Sequence, residues 1–245
     1  MPTIDATIAQ LDLYHLFQPV CRLPDRQIMG YEALLRSRAF TKTDQLIETA
    51  AQDNKLFELD IWSITNAAAA YFAAPSRSPA DALLFLNIFP SSMARDDFPT
   101  FVRQLMRQFG RFSERMVFEI NESAAEGDLW DHERFVQNVG LLRRQGCRIA
   151  FDDVGEGATT LKRIVEFSPE FIKIDRFFGK QLSVSKQKQK MIKFLVDYCK
   201  DESQLILEGI EEPEDLLQAQ HLGVTMGQGF LLAEPEPLPG ADGPE

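Results

Sequence analysis

Short, almost unbroken apolar runs alternate with helix-period stretches along nearly the whole chain, and few folds accommodate that pattern. Strands are expected over 16–21, 28–35, 83–89, 116–120, 149–153, 171–174, 205–210 and 229–233. Helices are expected over 44–53, 57–72, 98–109, 130–144, 160–167, 186–200 and 214–222. Strands that are apolar on both faces and joined by helices belong to a buried parallel sheet, and this many units in one domain point to closure. The expected fold is therefore α/β, a modified TIM (β/α)8 barrel, with an open doubly wound sheet as the runner-up. The first two runs are separated only by a turn at Asp25 and Arg26, so they read as a hairpin and place one antiparallel strand near the start.

A chain of 245 residues suits a single such barrel. The expected division is a lead-in over 1–15, the barrel over 16–235, and a disordered tail over 236–245, where Pro, Gly and acidic residues accumulate. Cys21, Cys147 and Cys199 are odd in number and widely spaced, which argues against a disulfide framework or a zinc site. They are expected reduced and buried. No apolar run is long enough to span a bilayer, and the first ten residues lack the features of a secretory signal, so a cytoplasmic location is expected. The net charge of −11 disfavours duplex nucleic acid and anionic membranes as partners. A phosphate substrate would need metal ions or local basic residues to overcome that field.

In a βα barrel the working face lies at the carboxyl ends of the strands. The polar residues that interrupt or end each run are Gln18, Glu32, Asn87, Glu119 with Glu122, Asp152 with Asp153, Lys173, Glu208 with Glu211, and Gln228. Each alone is readily explained as a satisfied buried polar group or a loop cap. Together they place several carboxylates on one rim, where mutual repulsion demands cations, and oxygen ligands suit Mg²⁺ or Mn²⁺. Glu119 shares a strand face with Val117 and is a better ligand than Glu122, which lies beyond the strand. Lys173 stands between Ile172 and Ile174, so its ammonium is expected to point inward, stay charged beside the acids and hold a water or phosphate oxygen.

These residues carry a resemblance. Glu32-Ala33-Leu34-Leu35-Arg36 is similar to the signature of the EAL domain family, bacterial phosphodiesterases that cleave cyclic di-GMP. The likeness continues through Gln18-Pro19-Val20, Leu86-Asn87-Ile88, Phe118 to Ser123, Asp152-Asp153-Val154-Gly155, Ile172-Lys173-Ile174-Asp175, Glu208-Gly209-Ile210-Glu211 and Gln228-Gly229-Phe230, all in family order. The resemblance implies hydrolysis of cyclic di-GMP to linear pGpG at a site of two ions, Mg²⁺ or Mn²⁺. Glu32, Asn87, Glu119 and Asp152 would hold the first ion. Asp152 would bridge to the second, which Asp153 and Glu208 would help to hold, directly or through water. Lys173 would position the attacking water, and Glu122 would support the loop after the twin aspartates. Gln18, Arg36, Asp60, Glu211 and Gln228 would serve on the substrate side. A homodimer and a sensory or signalling protein are the further partners it implies.

The sequence departs from the family pattern in two places near this site. The loop usually written Asp-Asp-Phe-Gly-Thr-Gly-Tyr-Ser-Ser here reads Asp152-Asp153-Val154-Gly155-Glu156-Gly157-Ala158-Thr159-Thr160, losing two aromatics and gaining an acid. The usual Thr before Glu122 is Asn121. Neither change removes an expected metal ligand, so an active enzyme is favoured over the alternative, a receptor that binds the dinucleotide without cleaving it. His15, His132 and His221 show no His-Asp pairing of the other cyclic di-GMP hydrolase class and read as surface or capping residues.

Overall fold

A computed structural model describes residues 11–74, 81–121, 124–155, 160–200 and 202–238. Eight strands form a closed barrel in the order of the sequence: β1 (Leu13–Arg22), β2 (Ile28–Ser37), β3 (Leu83–Ile88), β4 (Met116–Asn121), β5 (Arg148–Val154), β6 (Phe171–Ile174), β7 (Gln204–Leu207) and β8 (Met226–Gly227). β1 runs antiparallel to both its neighbours, β2 and β8, and every other pair is parallel. The expected opening hairpin is thus a single reversed strand within an otherwise parallel barrel.

Helices follow the strands: α1 (Thr43–Gln52), α2 (Leu56–Ala73), α3 (Pro90–Met93), α4 (Phe98–Phe109), α5 (Glu133–Arg144), α6 (Thr160–Phe167), α7 (Arg176–Gly179), α8 (Lys186–Cys199) and α9 (Pro213–His221). The short α3 and α7 carry too few residues to show a period and were not expected. Among the described residues no helix is long and apolar enough to cross a membrane. The three cysteines are free and buried.

Side chains alternate across each strand, and the two faces have different occupants. Outward-facing Leu86, Ile88, Phe118, Ile120, Ile149, Phe151, Ile172, Ile174, Leu205 and Leu207 join the main core beneath the helices. Inward-facing Val20, Leu83, Phe85, Val117, Ala150, Phe171, Ile206 and Met226 plug the barrel axis. Phe85 and Phe171 meet edge-on there, with ring centroids 5.3 Å apart. Gly30 makes room for them: a Cβ at that position would lie 2.9 Å from a Phe85 ring carbon.

Four expectations need correction. No strand spans 229–233; the last strand is Met226–Gly227, and residues 230–232 form a turn. The helix expected from 130 begins at Glu133, after a 3-10 segment over Ala124–Asp131. β1 begins at Leu13, within the expected lead-in. The expected disordered tail is docked at least to Leu238: Phe17 and Glu236 exchange backbone hydrogen bonds of 2.8 and 3.1 Å, and Leu238 is buried. The reason is topological. The two-residue β8 pairs with β1 only at Cys21 and Arg22, so the rest of that β1 edge is open for the tail.

Candidate active site

One inward-facing position above the apolar plug, every strand presents a polar residue. Stepping two residues from Val20, Gly30, Phe85, Val117, Ala150, Phe171, Ile206 and Met226 toward the same rim gives Gln18, Glu32, Asn87, Glu119, Asp152, Lys173, Glu208 and Gln228. For the reversed β1 the step runs backward along the chain. The period of two and the strand order therefore suffice to gather residues from 18 to 228.

Lys173, 1% exposed, occupies the centre. Its Nζ lies 3.1 Å from Glu32 Oε2, 2.9 Å from Glu119 Oε1, 3.0 Å from Asp152 Oδ1 and 2.8 Å from Glu208 Oε1. An ammonium has three protons, too few for four carboxylates. Glu119 and Asp152 are buried and depend on this shared ammonium, and neither Glu119 oxygen nor Asp152 Oδ1 has a well-aligned donor of its own. Glu32 is better served, by Asn87 Nδ2 at 3.1 Å on Oε1 and by Gln228 Nε2 at 2.8 Å on Oε2. Gln228 also donates to Gln18 Oε1, and Gln18 donates to Ala233 O.

Asp152 and Asp153 both reach the rim although neighbours on a strand point to opposite faces. The backbone explains this: Asp153 is left-handed, with φ 54°, and the pairing of β5 with β6 is irregular between Phe151 and Val154. Asn121, on the inward face of β4 with Val117 and Glu119, donates from Nδ2 to Asp153 Oδ2 at 2.9 Å. Glu208 is set by close backbone packing. A Cβ on Gly179 would lie 1.9 Å from Glu208 O, and one on the left-handed Gly209 would lie 2.6 Å from Arg176 Cβ, so α7 and the turn after β7 interlock through glycine.

Two groups of acids place ligand oxygens within 4.8 Å of one another: Glu32, Glu119 and Asp152, and Asp152, Asp153 and Glu208. Asp152 belongs to both. Burial, aided by nearby acids, raises the pKa of Asp152, raises Asp153 to about 6 and Glu208 to about 8, and raises Glu119 well above the usual carboxylate range. Burial pushes Glu32 the same way, but Lys173, Gln228 and Asn87 overcome it and its pKa falls. Burial would also discharge Lys173; the surrounding carboxylates outweigh it and keep the ammonium charged. Unserved buried carboxylate oxygens holding protons above their ordinary range are groups that hard divalent cations fit.

The remaining expected residues are dispersed around this centre. A cleft of about 920 Å³ above it is lined by Gln18, Arg36, Asp153, Glu211, Gln228 and Phe230 among others. Glu211 is exposed and pairs with Lys180 at 2.9 Å, apart from the buried cluster. Arg36 also borders an adjoining cleft of about 350 Å³ with Asp60, Asn87 and Asn121. There Asp60 is buried and accepts from Phe89 N at 3.1 Å, which ties it to the turn after β3. Glu122 lies outside the described residues. His132 caps α5, as expected of a capping residue. His15 is half-buried rather than a free surface residue: it stacks on Trp62 and bonds Ser63 Oγ at 2.9 Å, and burial lowers its pKa to about 4. Asn121 is a contact to the acid cluster that the strand ends alone do not single out, and the period of two along β4 is the signal that finds it.

Known proteins are similar to this chain in sequence and fold. The chain is 29% identical over 235 residues to the probable cyclic di-GMP phosphodiesterase PdeI of Escherichia coli, covering 93% of this chain and 29% of that protein. It is 25% identical over 237 residues to the E. coli cyclic di-GMP phosphodiesterase PdeF, covering 93% and 31% respectively. The chain thus spans less than a third of the length of these relatives. Among solved structures, a phosphodiesterase described as PaMucR in complex with c-di-GMP superposes with a TM-score of 0.82 at 22% identity, covering 96% of this chain and 97% of that one. A manganese/cy-diGMP complex of Klebsiella pneumoniae BlrP1 gives 0.81 at 23%, covering 91% and 56%. The EAL domain family matches residues 3–235, so the chain belongs to the EAL domain family.

Proposed function

We propose that this chain hydrolyses cyclic di-GMP to linear pGpG at two divalent ions, Mg²⁺ or Mn²⁺. The observation that carries the reading is Asp152, whose carboxylate belongs to both acid groups at the rim. Glu32, Glu119 and Asp152, with the Asn87 side chain, would hold one ion; Asp152, Asp153 and Glu208 would hold the other. When bound, the pair supplies an activated water and neutralises charge on the attacking and leaving oxygens. The chain's own residues do the rest. Lys173, fixed at the centre, orients the attacking water and offers positive charge to a phosphoryl oxygen. Arg36, with its planar fork, and Gln18 face the cleft and suit the dinucleotide's phosphates and sugars, and Asp60, Glu211 and Gln228 complete its walls. Water adds to phosphorus, the bond from phosphorus to the 3′ oxygen breaks, and that oxygen leaves with a proton.

Incubating the pure protein with cyclic di-GMP and either metal, then separating the nucleotides, tests the reading. It expects pGpG. Saturable binding without product under both metals would identify a receptor, and neither binding nor product would overturn the assignment.

The second ion should also bind more tightly as pH rises. Ligation needs ionised carboxylates, whereas Asp153 holds its proton to about pH 6 and Glu208 to about pH 8. Calorimetric Mn²⁺ titrations from pH 6 upward should show affinity increasing across this range, and heats that vary with buffer should report the released protons. An affinity flat across the window would contradict the assignment of these two acids.

A further inference from the structure

Asp153 is the one of the five acids with a left-handed backbone, φ 54°, a conformation that persists only where its surroundings hold it. It is partly exposed near the end of β5, where the pairing with β6 is irregular between Phe151 and Val154. Asp152 and Asp175 lie close enough to repel it. Lys173 attracts it, and the side chain that hydrogen-bonds it is Asn121, the last residue of β4, in direct register with Asp152. The Asn121 amide donates to Asp153 Oδ2 at 2.9 Å and so links the end of β4 to the end of β5. Among uncharged side chains of this size, an amide suits that position because it is a donor that brings no second negative charge. The Thr usual in the family at this position carries its hydroxyl on Cβ, one bond short of the amide nitrogen.

We propose that Asn121 is a positioning residue for the second ion: it holds the Asp153 carboxylate where it converges with Asp152 and Glu208. The proposal rests on the two-ion reading of the site. Metal sites commonly depend on such outer partners, whose loss weakens metal affinity by about 10- to 100-fold. The first acid group, Glu32, Glu119 and Asp152, does not include Asp153 and should not sense the change.

The test is calorimetric Mn²⁺ titration of the metal-free 245-residue chain without nucleotide. Wild type should bind two ions in two steps. Asn121→Leu, close in shape but without a donor, should lose about 10- to 100-fold in the second step alone, and Asn121→Thr should recover part of it. In a double-mutant cycle with Asp153→Asn, the two losses should not add, because Asn121 acts through that carboxylate. Two unchanged steps in Asn121→Leu, equal weakening of both steps, or fully additive losses in the cycle would each overturn the proposal. Fewer than two steps in wild type would instead remove the two-ion reading on which it rests, so the two failures are distinguishable. If Asn121→Leu does not fold, the Asn121→Thr comparison and its own cycle with Asp153→Asn decide the matter.

Discussion

Asp152→Asn should abolish cyclic di-GMP hydrolysis, with a loss on the order of 10³-fold or more, the several kcal/mol that a metal pair contributes to a phosphoryl transition state. The substitution keeps the shape of the side chain but removes the one carboxylate common to both acid groups. Neither ion would then retain its full ligand set, so the loss exceeds that expected from any acid confined to one group. Folding should not suffer. Asp152 is buried, and burial together with Glu32 outweighs the pull of Lys173 and disfavours its charge, while Lys173 keeps three other carboxylates around it. Removing that charge relieves repulsion, so the ion-free variant should melt at or above the wild-type temperature while its Mn²⁺-induced stabilisation shrinks. Product separation and thermal melts with and without Mn²⁺ check both halves. A variant that still produces pGpG at a wild-type rate would remove Asp152 from the chemistry.

The barrel could be read from sequence because its strands are buried on both faces and so appear as apolar runs that only a layered α/β fold can hide. The rim could be read because the period of two is strict: once Phe171 faces inward, Lys173 must as well. Legibility ended where the period ended. Asp153 joins its neighbour at the site through a left-handed backbone, which the run 149–153 does not reveal. Gly227 closes β8 after two residues, and the segment expected as the last strand turns away instead, with Gly229 pressed against the backbone of Ile210. The tail resembled disorder in composition, yet it fills the edge that the short β8 leaves open on β1. His15 looked like a surface residue because nothing local marks its contact with Trp62 and Ser63, 47 and 48 residues on.

Lys173→Met should be the most destabilising change at the site, and a divalent ion should reverse the instability without restoring turnover. Nζ is the cation within 3.1 Å of Glu32, Glu119, Asp152 and Glu208 together. Breaking a buried ion pair by removing one partner costs about 3–5 kcal/mol, because the remaining charge is left without compensation. The sign with pH follows from the shifts. Lys173 has a raised pKa, so its contribution is fully present below its unfolded value and is lost only at strongly alkaline pH. Glu32 has a lowered pKa; the stability tied to its charge is present above its unfolded value and fades as pH falls through the folded one. Met removes the chief favourable charge behind that lowering, so the acids of the variant should take up protons more readily. The deficit relative to wild type should therefore be large near pH 8 and shrink toward pH 5. Mn²⁺ should raise the melting temperature of the variant more than that of wild type, since the ions take over the neutralising role of the ammonium. Hydrolysis should stay low even with both ions bound, because the proposed mechanism assigns the orientation of the water to Lys173 and Met offers no donor in its place. Equal stability of the two proteins at pH 8 without metal would show that the acids tolerate one another unaided, and the case for cations at this rim would lose its electrostatic basis.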